Sequence, residues 1–316
     1  MKDLYGREIT YLRLSVTELC NLRCAYCMPE GGVCKRAHEE MLTEDEMIAA
    51  VECAAEIGVR KVRITGGEPL VKKNILSICS RAANVPGIEE VCLTTNGTLL
   101  APLAAKLRAA GVRRINISMD TLDAEKYARI TRGGRLNDAL AGLEAALSAG
   151  FDRVKVNAVL LGGVNDDEIA SLASLTQKYP VDVRFIELMP MSGTAKDAGT
   201  YVSCETVLQR LPDAVEQEND GGVARLYRLP NAQGCVGLIS PRSAHFCAWC
   251  NRLRVTADGH LKPCLHAPDL LCIKGCTKEE MRERFERAVF AKPRCHGELT
   301  EEVPSEAGRS MNRIGG

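Results

Sequence analysis

Six of the fifteen cysteines in this 316-residue chain fall into two groups whose spacing suits metal. The first is Cys20-Asn-Leu-Arg-Cys24-Ala-Tyr-Cys27, which follows an apolar, β-branched run. A cubane iron–sulfur cluster has four irons and normally takes four thiolates, so three close thiolates leave one iron open. An open metal position is where a substrate or cofactor coordinates. A structural zinc knuckle with a remote fourth ligand is the alternative for the same spacing. The second group is Cys247-Ala-Trp-Cys250, followed after thirteen intervening residues by Cys264. A Cys-x2-Cys pair opens many zinc ribbons, and Cys272, Cys276 or His266 could add a fourth ligand. Spacing leaves zinc and iron–sulfur open at this second group. Trp249, between two of its cysteines, is expected to pack.

Cations recur inside apolar runs. Arg13, Arg63, Lys155 and Arg184 each sit in one. Side chains alternate faces along a strand, so these four can point into one interior. Burying an unpaired cation is costly. Either internal carboxylates pair them, with Glu68, Asp120 and Glu187 as candidates, or an anionic ligand does. Arg252 and Arg254, flanking Leu253, place an Arg-x-Arg pair on one strand face beside the second cysteine group. Guanidinium groups bind phosphate oxygens in forked pairs, so the set suits a triphosphate.

These groups need a scaffold, and residues 9–190 repeat a strand-then-helix pattern. Strands are predicted over 11–16, 61–65, 90–94, 114–119, 153–160 and 182–188. Thr43 with Glu46 predicts a capping box ahead of Met47, Ile48, Val51 and Ala55. Leu140, Leu143 and Leu147 recur at helical spacing, and Gly150 supplies a stop. Such βα units predict a parallel sheet, because parallel strands need crossover connections. An open doubly wound sheet or a partial barrel satisfies this. The polar stretch 216–222 marks a boundary between domains 1–222 and 223–316. The second carries shorter strands, a cysteine-rich loop and a helix near 277–290.

Lys plus Arg number 41, as do Asp plus Glu, which gives no reason for broad attraction to nucleic acid or membranes. No apolar run approaches the roughly 18 residues of a membrane span. The N-terminus lacks the apolar core of a signal peptide. A cytoplasmic location is expected, where reduced thiols favour metal binding or catalysis over disulfides. Cys53, Cys79 and Cys92 sit in apolar patterns and are expected in the core. Cys34, Cys204, Cys235 and Cys295 are isolated.

The first cysteine group has company. Tyr26 precedes its third cysteine, and Thr65-Gly66-Gly67-Glu68-Pro69 follows the second strand. Together these resemble the radical S-adenosylmethionine superfamily. The resemblance implies an α/β fold, a partial (β/α)6 TIM-type barrel with its chemistry at the C-terminal strand ends. It also implies that Cys20, Cys24 and Cys27 hold a [4Fe-4S] cluster whose open iron takes S-adenosylmethionine. Gly67, Ser118 and Met189 match positions around that cofactor, with Tyr26 beside its adenine.

The segment from Cys247 through Asn-Arg-Leu-Arg-Val-Thr-Ala-Asp-Gly-His-Leu-Lys-Pro-Cys264-Leu resembles the GTP 3′,8-cyclase family. The likeness runs from residue 11 to the end and includes Arg309-Ser-Met-Asn-Arg313-Ile-Gly315-Gly316. It implies a C-terminal domain carrying a second [4Fe-4S] cluster on Cys247, Cys250 and Cys264, its open iron facing guanine. It assigns GTP contacts to Arg13, Arg63, Thr94, Lys155 and the Arg252–Leu253–Arg254 strand. The tail, with Arg313, Gly315 and Gly316, is expected to insert towards the active site, and Arg309 to reach a polyphosphate or radical site. The implied reaction is radical cyclisation of GTP to (8S)-3′,8-cyclo-7,8-dihydroguanosine 5′-triphosphate, an early step of molybdenum cofactor biosynthesis. Implied partners are an electron donor such as flavodoxin or ferredoxin and the next enzyme, cyclic pyranopterin monophosphate synthase. Neither nucleic acid nor membrane is expected, and the chain is a monomer or homodimer. Cys272 and Cys276 depart from the family pattern and are expected to pack. A peptide-modifying radical enzyme and a purely structural metal module are the competing expectations.

Overall fold

Alternation along the strands decides what the site contains. The computed structural model describes residues 1–33, 36–191, 199–219 and 221–315, so Cys34 and Gly316 lie outside the described residues. Strands β1 (Tyr11–Ser15), β2 (Lys61–Thr65), β3 (Glu90–Thr95), β4 (Val112–Ser118), β5 (Arg153–Leu160) and β6 (Val181–Glu187) fall within two residues of the predicted runs. They pair in chain order, every pair parallel.

Helices make the crossovers. Helix α1 (Glu44–Glu56) starts at the predicted capping box: Glu46 N donates to Thr43 Oγ1 at 3.2 Å, and Thr43 N donates to Glu46 Oε2 at 2.8 Å. Helices α2 (Ile75–Ala83), α3 (Ala104–Ala109), α4 (Ala124–Thr131), α5 (Leu136–Ser148), α6 (Ile169–Ala173) and α7 (Leu175–Lys178) follow. Gly150, at φ +71°, supplies the left-handed residue that stops α5.

The C-terminal part extends both edges of this sheet. After α8 (Glu205–Arg210) come β7 (Val215–Gln217), β8 (Arg225–Arg228) and β9 (Val236–Ile239). Strand β9 lies parallel to β6. Next come β10 (Arg252–Val255), β11 (His260–Lys262) and β12 (Leu271–Cys272), with β10 parallel to β1. The resulting twelve-stranded sheet is open, ordered β12-β11-β10-β1-β2-β3-β4-β5-β6-β9-β8-β7. Helices α9 (Lys278–Phe290) and α10 (Met311–Ile314) complete the chain.

One face of the sheet is the core. Leu12, Leu14, Val62, Ile64, Leu93, Ile115, Val156 and Phe185 are fully buried there, each contributing about 1.5–3 kcal/mol. Cys53, Cys79 and Cys92 are also fully buried, as expected. Along β5 the alternation is strict: Val154, Val156, Ala158 and Leu160 are buried, and Arg153, Lys155, Asn157 and Val159 are less so. Among the described residues, no helix is long and apolar enough to cross a membrane.

Candidate active site

The other face of the sheet curves around one cavity of about 460 Å³. Both cysteine groups line it, as do Arg13, Arg63, Lys155, Arg184, Arg252 and Arg254. Residues more than 230 positions apart in sequence thus share one space because β10 pairs with β1.

The first cysteine loop leaves the end of β1 and is tied to the end of α4. Arg23 N donates to Thr131 O at 3.1 Å, and Ala25 N donates to Ile130 O at 2.9 Å. Tyr26 Oη donates to Asp120 Oδ2 at 2.8 Å, with Val159 N donating to Asp120 Oδ1 at 2.8 Å. Gly67, Ser118 and Met189 line the same cavity. Gly67 has a second duty. Its N donates to Thr17 O at 2.8 Å, and a Cβ there would lie 2.4 Å from Leu19 O. A glycine is needed at Gly67 so that this segment can pack on the lead-in to Cys20.

Burial raises the thiols and carboxyls around this loop. It pushes the Cys20 thiol up to about 11 and Cys27 to about 12. Burial, with Cys27 and Asp120 adding to it, lifts Cys24 well above the usual thiol range. Burial also raises Asp120 to about 6 and Glu68 to about 7. Glu68, one of the candidate internal partners for the strand cations, pairs none of them. It accepts from Thr95 Oγ1 at 2.7 Å, Asn96 N at 2.7 Å and Leu70 N at 3.0 Å. Asp120 and Glu187 are likewise engaged elsewhere, Glu187 by Tyr201 Oη at 3.2 Å and by Cys204, Arg242 and Ser243 backbone N–H.

The second group begins in a tight turn, Cys247–Trp249. Trp249 is 75% exposed and lines the cavity, so the expectation that it packs is corrected: the turn directs it outwards. Lys292, buried at the end of α9, donates to Arg252 O and Pro263 O at 2.8 Å each and reaches Cys250 Sγ at 3.5 Å. Burial opposes ionisation of Cys250, but Lys292 and Arg252 outweigh it and hold the thiol below its usual range. Cys276 packs against the core, and Cys272 Sγ contacts Asp258 O at 3.7 Å.

The cations form two sets. Asp182, on the same face of β6 as Arg184, lies 3.4 Å from Lys155 Nζ, 3.3 Å from Arg184 Nη2 and 3.8 Å from Arg153 Nε. Around β1 and β10 the neighbours are mostly other cations. Arg63 Nε donates to Tyr11 Oη, and Arg63 Nη1 to Thr94 Oγ1 at 3.3 Å. Burial opposes a Tyr11 phenolate, but Arg63, Arg13 and Arg252 outweigh it and bring the phenol to about 8. Burial and then Arg254 press Arg13 well below the arginine range, and burial and then Arg252 bring Arg254 to about 10. Arg252 Nε is buried and makes no hydrogen bond among the described residues. Leu253 is fully buried in the core, because alternation turns it away from Arg252 and Arg254. Its side chain does not face the cavity.

The tail docks. Gly315 O accepts from Arg254 Nη1 at 2.9 Å, and a Cβ on Gly315 would lie 2.5 Å from Thr65 Oγ1. Asn312 Nδ2 donates to Glu18 O at 3.1 Å, and Arg313 Nε lies 3.6 Å from Glu18 Oε2. Arg309 does not reach the cavity. It is held by Asp269 Oδ2 at 2.6 Å and by both Asp258 oxygens at 2.9 Å, a lock formed by the β10–β12 region. Tyr11, Lys61, Asn157, Lys292 and His296 also line the site and were not identified from sequence. Their only signal is same-face spacing, as in Tyr11-x-Arg13 and Lys61-x-Arg63.

Comparisons fit this geometry. Residues 14–176 match the radical SAM superfamily, and residues 181–298 match the family described as Molybdenum Cofactor Synthesis C. The chain is 47% identical over 323 aligned residues to a GTP 3′,8-cyclase of Alkaliphilus metalliredigens and 45% identical over 322 to one of Alkaliphilus oremlandii, covering 100% of both chains in each case. Streptococcus suis SuiB bound to S-adenosylmethionine superposes with a TM-score of 0.65 at 15% identity, over 86% of this chain and 65% of that one. That likeness concerns the fold alone. At such identity over the full length of its relatives, the chain belongs to the GTP 3′,8-cyclase family of the radical SAM superfamily.

Proposed function

We propose that this protein is a GTP 3′,8-cyclase, converting GTP to (8S)-3′,8-cyclo-7,8-dihydroguanosine 5′-triphosphate early in molybdenum cofactor biosynthesis. The observation that carries this is one cavity lined by two three-cysteine groups with an arginine cluster beside the second. The thiols fit iron, since each group directs three soft donors at one space. Cys20, Cys24 and Cys27 hold the cluster that takes S-adenosylmethionine, and Cys247, Cys250 and Cys264 hold a second. The chemistry these groups supply when bound is reductive cleavage of the sulfonium and abstraction of the 3′ hydrogen of GTP.

The chain's own part is to bind and orient. Tyr26, Gly67, Ser118 and Met189 surround S-adenosylmethionine. Arg13, Arg63, Thr94, Lys155, Arg252 and Arg254 take the substrate, with Leu253 contributing backbone only. Charge-assisted bonds to the triphosphate relieve the mutual repulsion of the arginines. Arg313, Gly315 and Gly316 close the site. The domains 1–222 and 223–316 carry one cluster each, and both contribute to the substrate. The enzyme works in the cytoplasm, as a monomer or homodimer, with a flavodoxin or ferredoxin as electron donor and cyclic pyranopterin monophosphate synthase taking the product.

The test is anaerobic incubation of the iron-loaded protein with GTP, S-adenosylmethionine and a reductant, followed by mass analysis. Equal amounts of 5′-deoxyadenosine and cyclised nucleotide are expected. Cofactor cleavage with no cyclised nucleotide would overturn the assignment.

A further inference from the structure

Beside the second cysteine group lie two histidines to which the proposed reaction gives no role. His245 Nδ1 and His296 Nε2 are 3.2 Å apart. These atoms and Cys247 Sγ all lie within 4.8 Å of one another. Two nitrogens on one tetrahedral ion, at bond lengths of about 2.0–2.1 Å, are separated by roughly 3.3 Å. The histidine pair is thus already at single-ion spacing. A thiolate on the same ion would stand roughly 3.6 Å from each nitrogen, within about an ångström of the 4.8 Å limit that encloses the three atoms here.

The surroundings prepare the set for metal. His296 Nδ1 lies 2.7 Å from Gly297 O, and a carbonyl only accepts, so the proton sits on Nδ1 and the Nε2 lone pair is available. A backbone carbonyl fixing the tautomer of a ligating histidine is a recurrent feature of metal sites. The two ligand-bearing segments are pinned together by one side chain. Arg7, itself paired with Asp3, donates to Cys247 O at 2.8 Å, Arg294 O at 3.0 Å and Pro293 O at 2.6 Å. Cys295 lines the same small recess as His245 and Cys247 and offers a further thiol.

We propose that His245, Cys247 and His296 form a binding site for one zinc-class divalent ion, sharing the Cys247 thiolate with the second cluster and so excluding it. Two imidazoles and a thiolate around a tetrahedral ion suit zinc and its spectroscopic substitute cobalt(II). The chain then has two alternative metal states at this end, one mononuclear and one cubane. A zinc-class ion bound first blocks cluster assembly. The exclusion, though not the site itself, rests on the second-cluster reading above.

The test uses the full-length chain, anaerobic and free of iron, with cobalt(II) alone as the probe. A Cys20→Ala/Cys24→Ala/Cys27→Ala background silences the first group. One equivalent with a cobalt–thiolate charge-transfer band is expected. Its affinity should fall at least tenfold in His245→Gln and in His296→Gln and stay unchanged in Cys250→Ala. Unchanged affinity in both histidine variants, or loss in Cys250→Ala alone, places the ion on cysteines only and overturns the site. Because the readout is metal affinity, the conservative glutamine variants leave packing near Gly297 in place. Loading the same chain with iron and sulfide should abolish the cobalt band. A chain holding four irons at the second group that still shows the band overturns the sharing of Cys247. Failure to take up iron and sulfide at all refutes the second-cluster reading instead and leaves the cobalt result standing.

Discussion

The two cysteine groups line one cavity, yet burial governs the thiols of the first and cations outweigh it at Cys250 in the second. Around Cys20, Cys24 and Cys27 the nearby ionisable groups are Glu68 and Asp120, and burial drives both thiols and carboxyls towards their neutral forms. Around Cys250 stand Lys292 and Arg252, which favour the thiolate even in a buried setting. A reduced cluster gains negative charge, which cations stabilise and carboxylates oppose. Under the proposed function, the first group's neighbours would oppose added negative charge on a bound cluster, and the second group's would favour it. A single sheet presents both environments because β10, from the far end of the chain, lies against β1.

The largest effects come from removing either group's thiolates. Cys24→Ala should abolish 5′-deoxyadenosine formation, a loss beyond a thousandfold, while bound iron falls by about half. Cys250→Ala should do the converse, retaining uncoupled cofactor cleavage while losing GTP binding and the cyclised nucleotide. Iron and sulfide analysis alongside product analysis checks both. If the two variants fail in the same way, the sites are not functionally distinct and the contrast collapses.

The tail joins the two environments, and its disruption ranks next. Arg309 bridges Asp258 and Asp269, and breaking a buried ion pair from one side costs about 3–5 kcal/mol. Arg309→Ala should undock the tail, expose Arg313 to trypsin and lower cyclised nucleotide at least tenfold, with 5′-deoxyadenosine still made. Normal coupling in this variant rules out the lock. Burial opposes ionisation of Asp258, but His260, Thr256 and Arg309 outweigh it and hold the carboxyl far below its usual range. A depressed carboxyl stabilises the fold above its unfolded value of about 3.9 and loses that contribution as pH falls further. The contribution of Asp258 to the docked tail should thus be constant near neutrality and be lost only in acid.

Both cysteine groups and the six core strands are legible in the sequence because their signals are local. Ligand spacings leave two to thirteen intervening residues, and strand alternation needs only five to eight. What is not legible depends on register between distant strands. Asp182, rather than Glu68, Asp120 or Glu187, pairs Lys155 and Arg184, and that follows from its position on the same face of β6. Tyr11 shows only as one more strand aromatic until β2 and β10 flank it with Arg63 and Arg252. Arg309 looks like a candidate phosphate ligand until Asp258 and Asp269 come together around it.

The cations proposed to hold GTP should give a smaller, graded effect. Arg252→Ala should weaken GTP binding by about 1.5–3 kcal/mol, the range for a lost charged hydrogen bond, and guanosine binding much less. Arg254 also holds Gly315 O, so Arg254→Ala should weaken GTP binding and in addition raise the ratio of 5′-deoxyadenosine to cyclised nucleotide. Equal losses for GTP and guanosine would point to packing rather than phosphate recognition.

The smallest expected effect is on thiol reactivity in the iron-free chain, and it tests the charge contrast most directly. The thiolate is the nucleophile towards iodoacetamide, so the alkylation rate follows the thiolate fraction. Burial pushes Cys27 up to about 12, so between pH 7 and 9 its rate should rise about tenfold per pH unit. Cys250 lies below the usual thiol range, so its rate should rise less steeply across the same interval. Access scales each rate by a constant and leaves these slopes unchanged, which makes the slope the informative quantity. Lys292→Met removes the cation nearest Cys250 Sγ and should steepen the Cys250 profile while lowering its rate a few-fold at pH 8. Mass-resolved alkylation of both peptides in one sample provides the measurement. Parallel profiles for Cys27 and Cys250, unchanged by Lys292→Met, would show that the cations beside the second group do not govern its thiols.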